Sequence, residues 1–233
     1  LCVGLDPVWE KIPEHLPRTQ EGLLEFLLMI VGETKDYVAV FKPNFAYFEV
    51  LGASGVEVLK ELIQKIPQGI PVIGDAKRGD VGHTAQMYAR SVFETIGCDA
   101  VTVTPYQGED ALRPFFDYTD RGVFVLCLTS NPGAVDFQLP DLHLQVAKKV
   151  QEWNVSGNAG LVVGATRSDK IAAVRKISGQ MPFLIPGVGS QRGDLKNTLL
   201  FAEDGSKIPY LINASRSILY ASSGEDFAQQ AGN

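Results

Sequence analysis

Residues 71–80, Pro-Val-Ile-Gly-Asp-Ala-Lys-Arg-Gly-Asp, hold the sharpest change of character in this chain. The first four residues are an apolar run typical of a buried strand, and the run ends directly in two acids that flank a lysine. Side chains two positions apart on an extended backbone share a face, so we expect Asp75 and Lys77 to point the same way, while Asp80, beyond Gly79, leaves the line of the strand. The stretch predicts one ion pair held in place and a third charge directed elsewhere. A structural salt bridge at a strand end is the alternative, because such pairs also form without catalysis.

Eight apolar runs of this kind recur, each followed by turn residues and a segment of helical periodicity. Near-continuous Val, Ile and Leu without polar alternation is typical of strands covered on both faces. The predicted strands are residues 1–5, 37–41, 72–74, 100–104, 123–128, 161–164, 183–185 and 210–213. Apolar residues at three- and four-residue spacing predict helices over residues 22–33, 56–66, 84–96, 110–118, 143–153, 169–177 and 194–202. Eight βα units predict a closed (β/α)8 TIM barrel, with a doubly wound open sheet as the alternative.

Length and composition narrow the class of protein. With 233 residues, of which 45% are hydrophobic and 21% charged, the chain can bury one large core, so we expect residues 1–233 to form a single domain. A net charge of -6 disfavours nucleic acid and anionic membranes as partners, because both require a basic surface. No apolar run reaches the roughly 18 residues of a membrane span and no signal peptide is visible, so we expect a cytoplasmic protein.

Two further features concern the cysteines and the first residue. Cys2, Cys98 and Cys127 are odd in number and lie in or beside apolar segments, which favours buried, reduced thiols over disulfides. The sequence begins without Met, directly in an apolar run, so we expect a natural N-terminal segment to precede Leu1.

The barrel prediction selects a site, because active sites in this fold lie at the carboxyl ends of the strands. The unusual polar residues of the chain fall at those ends. They are Asp6 after the first strand, Lys42 and Asn44 after the second, Asp75 and Lys77 after the third, and Thr129 and Ser130 after the fifth.

The loops after strands seven and eight predict a phosphate site. Residues 186–191, Pro-Gly-Val-Gly-Ser-Gln, follow strand seven, and Ser215-Arg216 follow strand eight. Glycines let backbone N–H groups approach an anion, a helix beginning near Ser215 adds a partial positive end, and Arg216 offers bidentate donors. Barrels often bind phosphate with these two loops, although an ordinary turn is the alternative for either glycine alone.

These pieces together resemble the orotidine 5′-phosphate decarboxylase family. The matching motifs run nearly end to end in the family's order: residues 1–7 (Leu-Cys-Val-Gly-Leu-Asp-Pro), 41–44 (Phe-Lys-Pro-Asn), the D-x-K-x-x-D of Asp75, Lys77 and Asp80, Thr84, 129–133 (Thr-Ser-Asn-Pro-Gly), 186–191 and 215–216. The Lys-Pro-Asn form and the Asn-Ala-Ser-Arg ending are similar to the bacterial branch with longer loops. Related keto-gulonate-phosphate decarboxylases and hexulose-phosphate synthases carry a metal-binding acid after strand two, where this chain has Lys42.

The resemblance implies a reaction: orotidine 5′-phosphate loses CO2 to give UMP, without a cofactor or a metal ion. Lys77 would stabilise the carbanion at C6 of the pyrimidine and then protonate it. Asp75 would keep Lys77 protonated and lie near the substrate carboxylate, and Lys42 would complete the charge array and reach the ribose. By lying near that carboxylate, Asp75 would also raise the free energy of the bound substrate.

The resemblance also implies binding residues and a homodimer. Asp6 would accept a hydrogen bond from the ribose, Ser130 would bond the pyrimidine amide, and Gln191 with Arg216 would hold the phosphate, next to Pro186 and Ser215. Asp80 and Thr84 would reach across the dimer interface into the neighbouring site.

Other functions find less support in the sequence. His15, His83 and His143 are scattered without metal-ligand spacing, and no nucleophile elbow, Walker loop or dinucleotide fingerprint is present. A catalytically dead barrel that only binds a nucleotide or a protein is the remaining alternative. The intact Asp75, Lys77 and Lys42 argue against it.

Overall fold

The computed structural model describes residues 1–188, 195–202 and 209–233, and strands alternate with helices throughout these ranges. The strands are β1 (Cys2–Leu5), β2 (Val40–Pro43), β3 (Ile73–Arg78), β4 (Ala100–Val103), β5 (Gly122–Leu128), β6 (Ala159–Val163), β7 (Phe183–Ile185) and β8 (Tyr210–Ala214). Each predicted strand overlaps one of them.

Helices follow the strands. They are α1 (Gln20–Thr34), α2 (Ala46–Glu49), α3 (Ala53–Lys65), α4 (Gly82–Arg90), α5 (Glu109–Phe116), α6 (Leu142–Trp153), α7 (Ser168–Ser178), α8 (Leu195–Ala202), α9 (Arg216–Leu219) and α10 (Phe227–Gly232). A π-helical segment, Ser91–Ile96, follows α4, so the continuous helix predicted for residues 84–96 changes its winding at residue 91. No helix in the described ranges is long and apolar enough to cross a membrane.

The chain divides into two compact units, the first of which comprises residues 1–76, 91–99 and 214–233. In this unit β1 and β2 pair in parallel, with Gly4 opposite Lys42, and isolated bridges join residues 41 and 72 and residues 44 and 75. Both β1 and β2 are buried along their whole length. α1 packs on α10, where the rings of Phe26 and Phe227 stack 5.2 Å apart. The register of the strands places the carboxyl ends of β1 and β2 beside Asp75 of β3.

The second unit comprises residues 77–90 and 100–213. Here β4, β5, β6, β7 and β8 pair in parallel, each with the next in sequence, which is the arrangement that right-handed βαβ units build. All residues of β4 and β6 are buried, as expected for strands covered on both faces. The register of β5 with β6 shifts between Leu126 and Leu128, directly before the Thr129-Ser130 loop.

The bounds of β2 and β3 differ most from the sequence prediction, while those of the other strands agree to within two residues or less. β2 begins at Val40 and runs to Pro43, so Lys42 lies inside the strand and the exposed Tyr37 precedes it. β3 does not end before Asp75 but continues to Arg78. Backbone pairing explains the extension, because the N–H of Phe45 donates to the carbonyl of Asp75 at 3.2 Å and the N–H of Thr104 donates to that of Arg78 at 2.9 Å. The charged residues therefore did not end β3, because backbone hydrogen-bonding partners were available to extend it.

Candidate active site

The first unit aligns three of the expected site residues. Leu5 lies opposite Pro43 in the register of β1 with β2, so Asp6 follows at the level of Asn44, and Asn44 in turn bridges to Asp75. Asp6 and Asn44, just after β1 and β2, and Asp75, within β3, therefore lie in one row.

Lys42 and Asp75 form a buried ion pair at the centre of this row. The Nζ of Lys42 lies 2.8 Å from Oδ2 of Asp75, and their side chains are only 4% and 11% exposed. Burial alone lowers the pKa of Lys42, but the carboxylates of Asp75 and Asp6 outweigh it, and the pKa is raised above its ordinary value. Lys42 is therefore a permanent cation. The spacing within residues 71–80 did not identify this partner for Asp75.

Asp6 offers an acceptor toward the same row. Its Oδ1 is buried and has no hydrogen-bond partner within the described part of the chain. Buried acceptors are almost always satisfied, and one that is not is expected where a ligand supplies the donor. Asp6 therefore suits a hydroxyl-bearing ligand.

Tyr220 holds the segment that follows Asp6, a role that no sequence pattern indicated. Its hydroxyl accepts from the N–H of Val8 at 2.5 Å and lies 3.5 Å from the carbonyl oxygen of Asp6. Burial raises the pKa of Tyr220 to about 12, against the opposing effect of the hydrogen bond from Val8. The hydroxyl thus stays protonated and remains a fixed anchor.

Lys77, in the second unit, has a backbone conformation that the sequence did not predict. Its φ is 46°, and it is the one non-glycine residue in the described ranges with a positive φ. The left-handed region costs an L-residue about 1–2 kcal/mol. The expectation that Asp75 and Lys77 share a face assumed an extended backbone, and at Lys77 this assumption is wrong. Strain of this kind is concentrated at functional sites, so the conformation itself marks Lys77.

Asp80 leaves the line of the strand, as expected, because β3 ends at Arg78. Its Oδ1 accepts from the N–H of Val81 at 2.8 Å, and Thr84 follows on the exposed side of α4. Gly79 makes the turn possible, since a Cβ there would lie 2.4 Å from Cγ2 of Thr104. Asp80 and Thr84 thus lie in a short, polar and accessible segment.

Ser130 lies in a loop fixed from several sides. The N–H of the preceding Thr129 donates to Oε1 of Gln138 at 2.7 Å, and the Oγ1 of Thr166 donates to the carbonyl of Ser130 at 2.8 Å. Gly164 is required beside it, because a Cβ at that position would lie 2.7 Å from the backbone nitrogen of Ser130. None of these supporting residues stood out in the sequence, since their partners are distant along the chain.

The structure describes some, but not all, of the residues expected to bind phosphate. Gly187 has a φ of 96°, which favours glycine, and the carbonyl of Pro186 accepts from the N–H of Ala165 at 2.9 Å. Gln191, with Gly189 and Ser190, lies outside the described residues. Arg216 is exposed at the start of α9, and Ser215 makes no side-chain cap for it. Because α9 has only four residues, its dipole adds less positive potential than expected.

The histidines and cysteines are the residues that bear on metal binding and redox chemistry. Among the described residues, no three or more His, Cys, Asp or Glu side chains are grouped to hold a metal ion. His143 lies buried at the start of α6, and its Nδ1 contacts the carbonyl of Gln138 at 3.0 Å. The three cysteines, all within the described ranges, are buried and form no disulfide bond, and burial raises the pKa of Cys2 and Cys127 to about 12.

Comparison with known proteins identifies the family. The family model of the orotidine 5′-phosphate decarboxylase / HUMPS family matches residues 1–231. The chain belongs to this family.

Similar proteins agree with that assignment. Orotidine 5′-phosphate decarboxylases of Herpetosiphon aurantiacus and Roseiflexus castenholzii are 47% and 49% identical over 99% of this chain and 88% and 87% of theirs. The structure of Leishmania donovani OMP decarboxylase is 41% identical and superposes with a TM-score of 0.86, covering 98% of this chain and 89% of that one. The predicted family and the (β/α)8 barrel fold are confirmed.

Proposed function

We propose that this chain is a carboxy-lyase that converts orotidine 5′-phosphate to UMP and CO2, the last step of UMP synthesis, through a fixed array of charged side chains. Relatives of this name match it over nearly their whole length at 47% to 49% identity. The observation that supports the mechanism best is the buried Lys42–Asp75 pair. It fits an enzyme in which charges held in place replace a cofactor.

The chemistry requires electrostatic stabilisation. When the C6–carboxylate bond breaks, its electron pair stays on C6 of the pyrimidine, where no adjacent carbonyl can delocalise it. Preorganised charges in a site that excludes water are the most effective way to stabilise such a carbanion. The ammonium of Lys77 stabilises this carbanion and then transfers a proton to C6, so that a C–H bond replaces the C–C bond.

Lys42 and Asp75 supply the fixed part of the array. Because the pKa of Lys42 is raised, its charge is constant over the working pH range, and it fixes the carboxylate of Asp75 by a hydrogen bond of 2.8 Å. Asp75 lies beside the substrate carboxylate in this array. The metal-dependent relatives would need an acid at position 42, whereas here a lysine occupies it and is bonded to Asp75.

The remaining site residues hold the substrate. Asp6, with its unsatisfied Oδ1, accepts from a ribose hydroxyl, and Ser130 bonds the pyrimidine amide. Arg216 and Gln191 bind the phosphate, beside Pro186 and Ser215. An anionic substrate on an acidic protein needs such local cations.

A two-fold dimer is part of the proposal, with Asp80 and Thr84 contributed to the partner's site. Supporting it, Val81 and Met87 are exposed near these residues, and Tyr106 is 83% exposed. Large apolar side chains left in solvent are typical of a surface that another subunit covers.

Two broader expectations belong to the same proposal. One family model spans residues 1–231, which supports a single domain. Three buried thiols that form no disulfide bond suit the reducing conditions of the cytoplasm. The reaction is proposed to need neither a cofactor nor a metal ion.

The direct test is the change in ultraviolet absorbance as orotidine 5′-phosphate becomes UMP, with the release of CO2 measured in parallel. Turnover that survives extensive dialysis against EDTA is expected. Tight binding of the nucleotide without turnover would identify a dead barrel instead, and activity lost to EDTA and restored by Mg²⁺ would contradict the metal-free mechanism.

A further inference from the structure

The backbone conformation of Lys77 needs an explanation. Its φ is 46°, and glycine is the residue that adopts this region at little cost. A strained residue persists only where the surrounding structure over-determines its conformation. The contacts of the Lys77 backbone should therefore reveal what holds it.

One such contact comes from the neighbouring strand. The N–H of Lys77 donates to the Oγ1 of Thr102 at 3.0 Å. In a parallel sheet a strand N–H normally donates to a backbone carbonyl of the adjacent strand. Here the acceptor is a side chain instead, so the ladder of backbone hydrogen bonds is interrupted at Lys77. The ladder resumes at the next residue, where the N–H of Thr104 donates to the carbonyl of Arg78 at 2.9 Å.

Thr102 is well suited to define a fixed position. It lies in the middle of β4, a fully buried strand, and is 1% exposed. A β-branched side chain is stiff at χ1, so the acceptor oxygen is held by the strand itself rather than by a flexible chain. Periodicity alone would count Thr102 as one more core position of β4.

We propose that Thr102 is a positioning residue for decarboxylation: its buried hydroxyl holds the Lys77 backbone in the left-handed conformation and so fixes where the Lys77 ammonium is presented. The inference rests on the proposed role of Lys77 as stabiliser and proton donor. Without the hydroxyl, the Lys77 N–H loses this acceptor and the backbone can relax toward the extended region. The side chain would then leave the strand in a different direction.

The test compares proteins with and without a hydroxyl at position 102, first wild type against Thr102→Val and then Thr102→Ser against Thr102→Ala. Thr102→Val keeps the shape of threonine but removes the acceptor, while Thr102→Ser keeps the acceptor and removes a methyl group. Thr102→Val is expected to lower kcat by about 10- to 100-fold, the scale of a misplaced catalytic group, with KM and the Kd of UMP changed by less than about threefold. Thr102→Ser should retain kcat within about threefold of wild type.

A fall in kcat without a change in KM distinguishes a positioning role from a general loss of stability. A protein that is merely less stable loses active molecules, which melting curves detect, and the folded remainder keeps its kcat per site as titrated with UMP. If Thr102→Val does not fold, Thr102→Ala against Thr102→Ser repeats the comparison, since these two also differ in the hydroxyl. The proposal would be overturned if folded Thr102→Val had the same kcat as wild type, or if folded Thr102→Ala had the same kcat as Thr102→Ser. An equal loss of kcat in Thr102→Val and Thr102→Ser would overturn it as well.

The role of Lys77 is tested apart from that of Thr102. In a Lys77→Ala background, Thr102→Val should change the residual rate by less than about twofold, because a residue that acts through Lys77 has nothing left to position. If Lys77→Ala is nearly inactive but Thr102→Val matches wild type, only the positioning role fails. If Lys77→Ala remains fully active, the proposed catalytic role of Lys77 fails and the inference fails with it.

Discussion

A lysine that is almost wholly buried is stable as a cation only when its partners compensate for lost hydration. At Lys42 the compensation comes from two carboxylates, of which Asp75 is in direct contact and Asp6 acts at longer range. A pair of this kind does not by itself stabilise a fold, because desolvation offsets the attraction, but removal of one member leaves an unpaired charge in the interior. The buried Lys42–Asp75 pair is thus better explained by the proposed function than by a contribution to stability.

Lys42→Met should therefore destabilise the protein strongly. We expect the free energy of unfolding to fall by about 3–5 kcal/mol, because Asp75 keeps its charge without its partner, and denaturant titration measures this fall. Lys65→Met, which breaks the exposed pair with Glu61, is the matched control and should change stability by less than about 1 kcal/mol. An equally small effect at both lysines would mean that the buried pair does not hold an ionised Asp75.

Lys77→Ala should leave a folded protein with almost no decarboxylase activity. Loss of one preorganised stabilising group costs about 10²- to 10³-fold in kcat, and the loss here should be greater because the proton donor is removed as well. Steady-state turnover of orotidine 5′-phosphate measures it, with Lys65→Ala as the surface control. Near-normal turnover in a well-folded Lys77→Ala protein would refute the mechanism.

At the scale of elements, the connection from β3 to α4 is built around a close approach. A Cβ on Gly79 would lie 2.4 Å from Cγ2 and 3.2 Å from the carbonyl oxygen of Thr104, so either the turn or Thr104 must move. Because Lys77 and Asp80 lie on either side of this turn, a shift there displaces both. The glycine is needed for its lack of a side chain rather than for a turn of unusual φ.

Gly79→Ala should accordingly lower kcat by about tenfold or more, since small displacements of catalytic groups are costly. The double variant Gly79→Ala with Thr104→Ser removes the nearer clashing atom and should recover part of the loss, as kinetics of the two variants will show. Gly32→Ala is the control, because no atom lies within 4 Å of a Cβ there. Placed inside α1, it should leave kcat unchanged and add up to about 1 kcal/mol of stability.

The sequence predicted the elements better than the details of the site, and particular residues explain why. Apolar runs located all eight strands, and the strand-end rule selected Asp6, Lys42 and Asp75, which the structure aligns. The predicted end of β3 was wrong because it depends on backbone partners distant in sequence, Phe45 and Thr104, which lie just after the neighbouring strands. Tyr220 lies more than 200 residues from Val8, and the φ of Lys77 depends on Thr102, so neither could be read from local pattern.

At the scale of the whole molecule, the proposed dimer makes each site depend on two chains. Asp75 and Lys77 lie two positions apart in β3, whereas Asp80 comes after the strand has ended. In a two-fold dimer the same surface is used by both subunits, so if Asp80 serves the partner's site, each chain lends one Asp80 and receives one. This reciprocity can be separated from a role within one chain by mixing variants.

Lys77→Ala and Asp80→Ala chains should each be nearly inactive alone and regain activity when mixed and allowed to exchange subunits. In a mixed dimer one site takes Lys77 from the Asp80→Ala chain and Asp80 from the Lys77→Ala chain, and is wild type, while the other site carries both lesions. Random pairing of equal amounts makes half the dimers mixed, so about a quarter of wild-type activity should return. Lys77→Ala mixed with Asp75→Asn is the matched control, because these two residues serve the same chain's site and no pairing restores it. If subunit exchange is verified by mass and the Asp80 mixture gains no more than this control, Asp80 acts within its own chain.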